Sequence, residues 1–470
     1  MYRKNQHIHF IGIGGIGMSG IAELLLNLGY RISGSDLRES RITRRLAKLG
    51  GQIKIGHSPH WIEGADVVVI SSAVRSDNPE VSAAYSAGIP VIPRAEMLAE
   101  LMRLKINGIA VAGTHGKTST TSMAGVLLAE AGLDPTVVIG GQVNNLGSNA
   151  KLGNGDFLVA EADESDGSFL KLSPVLEIIT NIELDHVDHY SDLEAVKAAF
   201  LEFINRIPFY GAAILCLDDP NVAALLPLIR KRIITYGLTP QADIQAREIT
   251  ARGFISRFEV WHRGRALGKM TLSVPGRHNV YNALAVVALG LELEIDFAVI
   301  TRALGNYTGV QRRLQIKGEV NGIMLIDDYG HHPTAIRVTL AALRAAWPKR
   351  RLVVLFQPHR YSRTAGLFPE FCTAFHDADL VILSDIYAAG EEPIAAVAGD
   401  ALTRALRSHG QKAVEYIPDL ADLPAAVAPV LVSGDVVLTM GAGDIWRAGE
   451  SILAILEKES TTMAVKNQAA

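Results

Sequence analysis

The segment 109–119 constrains the fold of this 470-residue chain more than any other. It begins with Ile-Ala-Val-Ala, the small and β-branched apolar residues that are typical of a buried parallel strand. Gly113-Thr114-His115-Gly116 then breaks the strand, and the apolar periodicity of residues 123–131 predicts a helix. A strand, a glycine turn and a helix aim backbone N–H groups at a phosphate. The segment therefore predicts a phosphate-binding loop.

The residues that follow the turn indicate which phosphate is bound. Lys117 can place a positive charge on the β- and γ-phosphates, and the Thr118 hydroxyl can reach a Mg²⁺ ion. The loop is shorter than the usual P-loop, because Val111 stands where the first glycine is expected. The alternative is a tight turn with a solvated lysine, but the strand and helix on either side favour a nucleotide site.

A second glycine motif lies near the N-terminus. Gly12-x-Gly14-x-x-Gly17 follows an apolar strand at 8–11 and opens a helix, and Asp36 follows the next strand. This pattern is the fingerprint of a dinucleotide-binding βαβ unit. It predicts a dinucleotide or, with fewer assumptions, any nucleotide that carries a diphosphate. Close strand–helix packing without a ligand is the alternative.

Acids and histidines follow two strands of the middle segment. The strand 157–160 runs into Glu161-Ala162-Asp163-Glu164, and the strand 175–180 is followed by Asp185-His186. Carboxylates at the end of a strand beside a phosphate loop commonly hold the metal ion of a nucleotide enzyme. A solvated acidic loop and helix-capping residues are the alternatives.

The last segment repeats the alternation of strands and helices between residues 323 and 440, which predicts a third parallel sheet. Its strands end in polar residues, at the edge where open α/β sheets bind ligands. Arg312-Arg313 lies before this segment and can clamp a phosphate when domains close. Arginine pairs are also common on ordinary surfaces.

Composition limits the class of protein. Hydrophobic residues make up 49% and charged residues 20% of the chain, and the net charge of −4 gives no reason to expect nucleic acid or an anionic membrane as partner. Two cysteines, Cys216 and Cys372, allow no disulfide framework. No signal peptide or apolar run of about 18 residues is visible, so we expect a cytoplasmic protein without a membrane span.

Two phosphate motifs on separate sheets, with a third sheet that presents arginine and histidine, predict an enzyme that uses ATP on a substrate carrying a nucleotide diphosphate. The chain resembles the Mur ligases of peptidoglycan synthesis from residue 8 to residue 444. The motifs that carry this resemblance are Gly12–Gly20, Gly113–Thr118, Glu161–Asp166, Asp328–Pro333 and Pro358–Arg363.

The resemblance implies an α/β fold with three domains. We expect a Rossmann-like UDP-sugar domain over 1–105, a P-loop ATPase-like α/β domain that binds ATP over 106–313, and a Rossmann-like amino-acid-binding domain over 314–459. Residues 460–470 lack apolar periodicity and are expected to be a frayed tail. The sequence does not indicate whether the protein is a monomer or a dimer.

The resemblance also implies a reaction and its cofactors, ATP and Mg²⁺. ATP phosphorylates the lactyl carboxylate of UDP-N-acetylmuramic acid, and the amine of an amino acid attacks the acyl phosphate. The first and last motifs favour L-alanine as that amino acid. A related ligase that adds another amino acid or a murein peptide is the alternative.

Site residues follow from the motifs and from the resemblance. The expected catalytic residues are Lys117, His186 and Arg360, and the expected metal ligands are Thr118, Glu161 and His186. The expected ATP-binding residues are Gly113, Thr114, His115, Gly116, Lys117, Thr118, Ser119, His278, Asn279, Asn282, Arg313 and Asp328. The expected UDP-sugar contacts are Gly14, Gly15, Ile16, Gly17, Met18, Ser19, Asp36, His57 and Ser71. The expected amino-acid contacts are Tyr329, His331, His359, Arg360 and Arg363.

One position departs from the family pattern. Several Mur ligases carry a carbamylated lysine after the Asp-His segment, and the matching position here is Phe200, with Lys197 one helical turn earlier. A carbamate ligand to a second metal ion is therefore not expected.

Two further hypotheses compete with a ligase. An NAD(P)-dependent oxidoreductase would use the first glycine motif but leave the Lys117 loop without a role. A non-catalytic UDP-sugar-binding protein would form no ADP with any combination of substrates.

Overall fold

The computed structural model describes residues 6–71, 73–140, 150–186 and 189–468, without the side chains of Ile16 and of 462–468. Within these residues three sheets follow one another along the chain, each flanked by helices. The predicted α/β class with three domains is confirmed. The exact domain boundaries stay predictions.

The first sheet is parallel and has the strand order β3-β2-β1-β4-β5. The strands are β1 (His7–Ile11), β2 (Arg31–Asp36), β3 (Gln52–Ile55), β4 (Val67–Ile70) and β5 (Val91–Pro93). The helices are α1 (Ile16–Asn27), α2 (Arg41–Lys48), α3 (Pro79–Ser86) and α4 (Arg94–Met102). Because β1 lies between β2 and β4, the glycine loop after β1 is flanked by Asp36 and Ser71, which stand at the ends of those two strands.

The second sheet has the order β15-β14-β13-β12-β11-β10-β6-β9-β7-β8. The first five strands are β6 (Asn107–Ala112), β7 (Thr136–Val138), β8 (Ala150–Lys151), β9 (Phe157–Glu161) and β10 (Leu176–Ile179). The others are β11 (Ala212–Cys216), β12 (Ile233–Gly237), β13 (Ile244–Arg252), β14 (Ile255–His262) and β15 (Arg265–Leu272). The helices are α5 (Lys117–Glu130), α6 (Leu193–Ile204), α7 (Pro220–Leu225), α8 (Arg277–Glu292) and α9 (Phe297–Gly305).

The position of β6 in this sheet brings the predicted nucleotide-binding residues together. Strands β6, β9 and β10 are parallel neighbours with β6 in the middle. Their carboxyl ends therefore meet at one edge, which brings the phosphate loop, Glu161 and the segment 180–186 together. The alternating residues of β13, β14 and β15 pair antiparallel at the far side of the sheet, as their pattern predicts.

The third sheet has the order β16-β17-β21-β18-β19-β20, and β16 alone among these strands pairs antiparallel. The strands are β16 (Gln315–Val320), β17 (Ile323–Asp328), β18 (Leu352–Phe356), β19 (Leu380–Leu383), β20 (Val414–Tyr416) and β21 (Val436–Met440). The helices are α10 (Pro333–Ala346), α11 (Tyr361–Gly366), α12 (Phe368–Phe371), α13 (Gly399–Ser408), α14 (Leu423–Val427) and α15 (Ile445–Gln468). Helix α15 continues through residue 460, so the expected frayed tail is helical up to Gln468.

Helix α8 is buried on almost every side, with residues 279–280 and 282–290 in the core. A helix that is apolar all round belongs in the interior. Its side chains join those of α5 in one cluster, including Met123, Leu127, Leu284 and Val287. Each such fully buried side chain contributes roughly 1.5–3 kcal/mol to stability. This packing fixes the N-terminus of α8 beside the phosphate loop.

The described helices include none that combines the length and the apolarity needed to cross a membrane.

Candidate functional site

The phosphate loop is held so closely that two of its positions require glycine. Gly116 has φ +84°, and a Cβ atom there would lie 2.8 Å from Asn282 Oδ1. Gly113 has φ +129°, and its Cβ atom would lie 2.1 Å from Thr180 Oγ1. Any other residue would combine backbone strain with a collision. The loop is therefore fixed against α8 on one side and against the end of β10 on the other.

Lys117 lies at the start of α5 and is buried among acids. Its Nζ donates hydrogen bonds to the Gly113 carbonyl at 2.7 Å and to both Glu164 oxygens at 2.8 Å. Burial lowers the pKa of Lys117, but Glu164, Asp163 and Glu161 raise that pKa more, so the ammonium keeps its proton. Burial raises the pKa of Glu164 to about 7, and Lys117 offsets this only in part. The site thus holds a charged lysine beside a carboxyl group that titrates near neutrality.

Thr118 and Glu161 form a pair of oxygen donors beside Lys117. Thr118 Oγ1 lies 3.1 and 3.2 Å from the two Glu161 carboxylate oxygens, and the Gly140 N–H donates to Glu161 Oε2 at 2.7 Å. A hydroxyl and a carboxylate at the mouth of a phosphate loop are the hard ligands that Mg²⁺ prefers. These residues fit a Mg²⁺ ion that also contacts nucleotide phosphates.

His186 follows β10 in the left-handed conformation, with φ +54°. Its Nε2 lies 3.8 Å from Asp185 Oδ2. Burial lowers the pKa of His186, and the positive charge of Lys117 lowers it further, although Asp185 and Asp163 oppose this. The imidazole is therefore neutral at pH 7 and has a lone pair that can bind a cation.

The first two turns of α8 contribute three of the expected ATP-binding side chains. Asn279 Nδ2 donates to the Pro275 carbonyl at 2.7 Å, and Asn282 Nδ2 donates to Asn279 Oδ1 at 3.2 Å. His278 is beside them, and burial together with the nearby Arg313 lowers its pKa to about 4. The neutral His278 Nδ1 is buried and makes no hydrogen bond within the described part of the chain. It can therefore contact a polar group of a ligand.

Asp328 and Arg313 lie at the connection between the second and third sheets. The two Asp328 oxygens accept hydrogen bonds from the Leu314 N–H at 2.8 Å and the Gly330 N–H at 2.7 Å. The Arg313 guanidinium lies 5.2 Å from the centre of the Tyr329 ring. Asp328 thus holds the backbone just before β16 and the turn after β17, and its contact with a nucleotide stays a prediction.

The expected amino-acid contacts meet at the ends of β17 and β18. The ring centres of Tyr329 and His331 are 5.5 Å apart, and those of His331 and His359 are 5.9 Å apart. Arg360 has φ +70°, and its Nε lies 3.8 Å from Glu391 Oε1. These side chains form one polar cluster at the carboxyl edge of the third sheet.

Arg363 links this cluster to the second sheet. It is buried, and its Nε lies 3.3 Å from Asp185 Oδ1. Burial acts to raise the pKa of Asp185, but Arg363 and the neighbouring histidines lower it well below its usual range. The carboxylate and the guanidinium are both ionised and face each other between the two domains.

In the first domain, the Gly14 N–H donates to Asp36 Oδ2 at 2.9 Å, so the acid contacts the glycine loop. Gly15, Gly17, Met18 and Ser19 lie at the N-terminus of α1, whereas the side chain of Ile16 lies outside the described part. His57 Nδ1 is 2.7 Å from Glu80 Oε1. The Ser71 carbonyl accepts a hydrogen bond from the Val74 N–H after β4. These residues surround the loop, and their contacts with a ligand stay predictions.

Comparisons with known proteins agree with this arrangement. The family model for the Mur ligase family, catalytic domain, matches residues 7–106. The model for the Mur ligase middle domain matches 111–290, and the model for the Mur ligase, glutamate ligase domain, matches 312–443. The chain belongs to the Mur ligase family.

Individual relatives of this Mur ligase align with almost its whole length. It is 61% identical to a UDP-N-acetylmuramate–L-alanine ligase of Desulfotalea psychrophila, over 98% of this chain and 100% of the relative. A solved UDP-N-acetylmuramate-alanine ligase of Thermotoga maritima is 32% identical, with a TM-score of 0.83, over 97% of this chain and 100% of that one. A murein peptide ligase of Psychrobacter arcticus is 26% identical, with a TM-score of 0.71, over 96% and 99%.

The position of the family's carbamylated lysine is closed in this Mur ligase. Phe200 is fully buried, and its ring centre is 5.3 Å from that of Phe169. Lys197 donates to Glu194 on the surface of α6 at 2.8 Å. An apolar ring inside the core cannot ligate a metal ion. That position 200 matches the family's carbamylated lysine stays a prediction from spacing.

Several residues of the site had no role assigned from the sequence. Glu164 contacts Lys117, and Asp163 lies 3.5 Å from Arg94 of the first domain. The Tyr387 ring stacks on His359 with the ring centres 5.3 Å apart. The cluster of acids after β9 was a usable signal for the two carboxylates. Arg94 and Tyr387 carry no sequence signal, because they reach the site only through the packing of distant elements.

Proposed function

We propose that this Mur ligase is an ATP-dependent enzyme that joins L-alanine to the lactyl carboxylate of UDP-N-acetylmuramic acid. An acyl phosphate is the proposed intermediate, and ADP and phosphate are the products. The contact between Asp185 of the nucleotide-binding sheet and Arg363 of the third sheet carries the proposal. Together with the 61% identical relative, it supports an amino acid held next to the phosphate loop.

The Asp185–Arg363 pair matches the charges of a free amino acid. A guanidinium binds a carboxylate bidentately, and a carboxylate binds an ammonium group. An L-alanine zwitterion that replaced the direct 3.3 Å contact between them would satisfy both partners. The histidines and Tyr329 around the pair leave an amino acid surrounded by neutral rings, because burial and the charge of Arg363 lower the pKa values of His331 and His359.

The first step transfers the γ-phosphoryl group of ATP to a carboxylate oxygen, and ADP leaves. Negative charge spreads over the phosphoryl oxygens in this step, so fixed positive charge and N–H dipoles stabilise it. Lys117 and the N-terminus of α5 supply these at the loop. Mg²⁺, held by Thr118 and Glu161 with His186 as the candidate ligand of a second ion, would supply further neutralisation of phosphate charge.

In the second step the bound ammonium group first loses a proton to water, and the free amine nitrogen then attacks the acyl carbon. A tetrahedral intermediate forms, the bond between the acyl carbon and the phosphate oxygen breaks, and the nitrogen loses a proton. In this proposal Arg360 and Arg363 bind the carboxylate of the amino acid, which leaves its nitrogen free to attack. A substrate without that carboxylate would bind weakly.

Isotope labelling tests the intermediate. With oxygen-18 in the muramyl carboxylate, the released phosphate should carry the label, because one carboxylate oxygen leaves with the phosphoryl group. Unlabelled phosphate would eliminate the acyl phosphate.

A substrate panel tests the choice of amino acid. ADP release should be fastest with L-alanine and UDP-N-acetylmuramic acid, compared with other single amino acids and with the murein tripeptide. Faster release with the tripeptide would favour the function named for the Psychrobacter arcticus relative. A cytoplasmic location, which the sequence predicts, would give the enzyme access to ATP and is part of this proposal.

A further inference from the structure

A histidine–glutamate–histidine cluster lies between the second and third domains, apart from the Thr118–Glu161 pair. His115 comes from the phosphate loop, Glu183 follows β10, and His332 precedes α10. One ligand atom from each residue lies within 4.8 Å of the other two. The function proposed above does not use these three residues together.

The distances place both imidazoles around one carboxylate oxygen. His115 Nε2 lies 3.4 Å from Glu183 Oε2, and His332 Nδ1 lies 3.7 Å from the same oxygen. The two ring centres are 4.9 Å apart. Ligand atoms around a tetrahedral ion lie roughly 3–4 Å from one another, since each bond to the metal is about 2.0–2.2 Å. The trio needs only a small contraction to reach that spacing.

Buried polar atoms without partners point to a missing ligand. The Nε2 atoms of His115 and His332 are both buried and make no hydrogen bond to the residues that the structure describes. His332 as a whole is 5% exposed. Its Nδ1 accepts a long hydrogen bond of 3.3 Å from the Thr334 N–H. Buried polar groups normally find a partner. The unsatisfied Nε2 of His115 lies 3.4 Å from Glu183, and the unsatisfied Nε2 of His332 belongs to a ring whose Nδ1 lies 3.7 Å from the same carboxylate, so both rings have nitrogen capacity left for a ligand.

The charge states suit a cation. Burial and the neighbouring His115 lower the pKa of His332 to about 4, so the ring is neutral at pH 7. Burial acts to raise the pKa of Glu183, but the contacts with His115, Thr334 and His332 lower it to about 2. A neutral imidazole and an ionised carboxylate are the forms that bind metal ions.

We propose that His115, Glu183 and His332 bind a divalent transition-metal ion of the Zn²⁺, Co²⁺ or Ni²⁺ class, distinct from Mg²⁺, which joins the phosphate loop to the third domain. Imidazole nitrogen suits these ions, whereas Mg²⁺ prefers oxygen ligands. The inference does not rest on the proposed ligase activity, because it concerns binding in the absence of substrates.

Calorimetric titration of the full-length protein with CoCl₂ in excess Mg²⁺ tests the site. We expect one Co²⁺ ion per chain, with visible absorption typical of nitrogen and oxygen ligation. H332Q and E183Q should each weaken Co²⁺ binding at least ~10-fold, since even the loss of outer-shell partners of a metal site costs about 10–100-fold. E161Q, which alters the predicted Mg²⁺ pair, should retain the Co²⁺ affinity.

Controls keep the result interpretable. His376 is exposed, and its Nε2 contacts only the His409 carbonyl among the described residues, so H376Q should bind Co²⁺ like the wild type. Circular dichroism checks the fold of each variant, and H115Q replaces H332Q if loss of the residue at the start of α10 disrupts folding. Absence of Co²⁺ binding, or equal binding by wild type, E183Q and H115Q, would overturn the proposal.

Discussion

Asp185 and Arg363 meet across 178 positions of sequence, with Arg363 Nε 3.3 Å from Asp185 Oδ1. The carboxylate follows a strand of the second sheet and the guanidinium belongs to the third domain, and both side chains are about nine-tenths buried. The pair therefore connects the proposed site of phosphoryl transfer with the cluster that is expected to hold the amino acid. Each domain supplies one of the two charges, and the other domain supplies its ionic partner.

The first prediction concerns this pair. Removal of one charge by D185N leaves Arg363 buried without an ionic partner. We expect the free energy of unfolding to fall by about 3–5 kcal/mol, the range for a broken buried ion pair. The KM for L-alanine should rise while the KM for ATP changes little. Urea denaturation and steady-state kinetics measure these effects.

The control for D185N is D400N. Asp400 pairs with Arg404 on the surface of α13, where solvent screens the interaction. Its loss should leave the urea midpoint unchanged. Equal midpoints for D185N and D400N would contradict the assignment of the Asp185–Arg363 pair as a stabilising contact.

The second prediction concerns Lys117. K117A removes the ammonium from the phosphate loop, and we expect ADP formation to fall at least ~10³-fold, somewhat more than the loss of one oxyanion-hole donor costs. Binding of UDP-N-acetylmuramic acid, measured by calorimetry, should stay within a few-fold of wild type. K171A, at an exposed lysine that pairs with Glu96, is the matched control and should retain activity. Loss of UDP-sugar affinity in K117A would show that the two nucleotides are not bound on separate sheets.

The third prediction concerns Glu80, which is fully buried in the first domain. His9 Nε2 and the Ser35 hydroxyl lie 2.7 and 2.9 Å from its Oε2, and His57 Nδ1 lies 2.7 Å from Oε1. E80Q offers an amide where these groups contact a carboxylate. We expect a loss of about 2–4 kcal/mol of unfolding free energy and a several-fold higher Kd for UDP-N-acetylmuramic acid, because His57 loses its fixed orientation.

The pH dependence of stability provides a second test of Glu80. Burial acts to raise the pKa of Glu80, but hydrogen bonds from His9, His57 and Ser35 lower it below the ordinary value. The stabilisation is therefore present above the pKa of about 4.3 in the unfolded chain and is lost as the pH falls through the lower folded value. Wild type should lose more stability than E80Q in this acid range. E63Q, at an exposed acid that pairs with His60, should follow the wild-type curve.

The fourth prediction concerns Glu177 in the middle of β10. Its side chain is fully buried, and neither carboxylate oxygen has a hydrogen-bond partner among the described residues. E177M replaces an unsatisfied polar group with an apolar one, and we expect a gain of about 1–3 kcal/mol at pH 8. Thermal unfolding measures this gain. A lower midpoint for E177M would indicate that the carboxyl group has a partner.

The sign of the pH effect at Glu177 is opposite to that at Glu80. Burial raises the pKa of Glu177 well above its usual value, and Lys231 opposes this only weakly. The folded state holds the proton more tightly, so this contribution to stability is complete below about pH 4.3 and is lost as the pH rises through the folded pKa. E177M should lack this decline. If the stability of wild type and of E177M changed with pH in parallel, the raised pKa of Glu177 would be contradicted.

The candidate nucleotide site could be proposed from the sequence because its signals are local. The turn between β6 and α5 is defined by glycines at two positions and by Lys117 next to them, and a short window of sequence contains all of them. Glu161 was accessible because the end of a parallel strand beside a phosphate loop is a defined place. Glu164 was harder to assign, because Asp163 next to it is also a carboxylic acid. Only the fold shows that Glu164 is the one that contacts Lys117.

The contacts between domains could not be predicted in this way. Arg94 reaches Asp163 from another domain, and His332 meets His115 and Glu183 from elements more than 140 residues away. Each partner has an ordinary role in its own segment, such as a helix start or a turn. No periodicity or spacing in one segment contains information about the surface that another domain presents.

The sequence by itself determined the three α/β units and the chemistry at the ends of their strands, because hydrophobic period and glycine turns act over short distances. Tertiary structure decided which of those strand ends face each other. The order of strands around β6 and the packing of the third domain against the second are set by the burial of whole surfaces. That is why the ion pair of Asp185 with Arg363 emerges only from the folded chain.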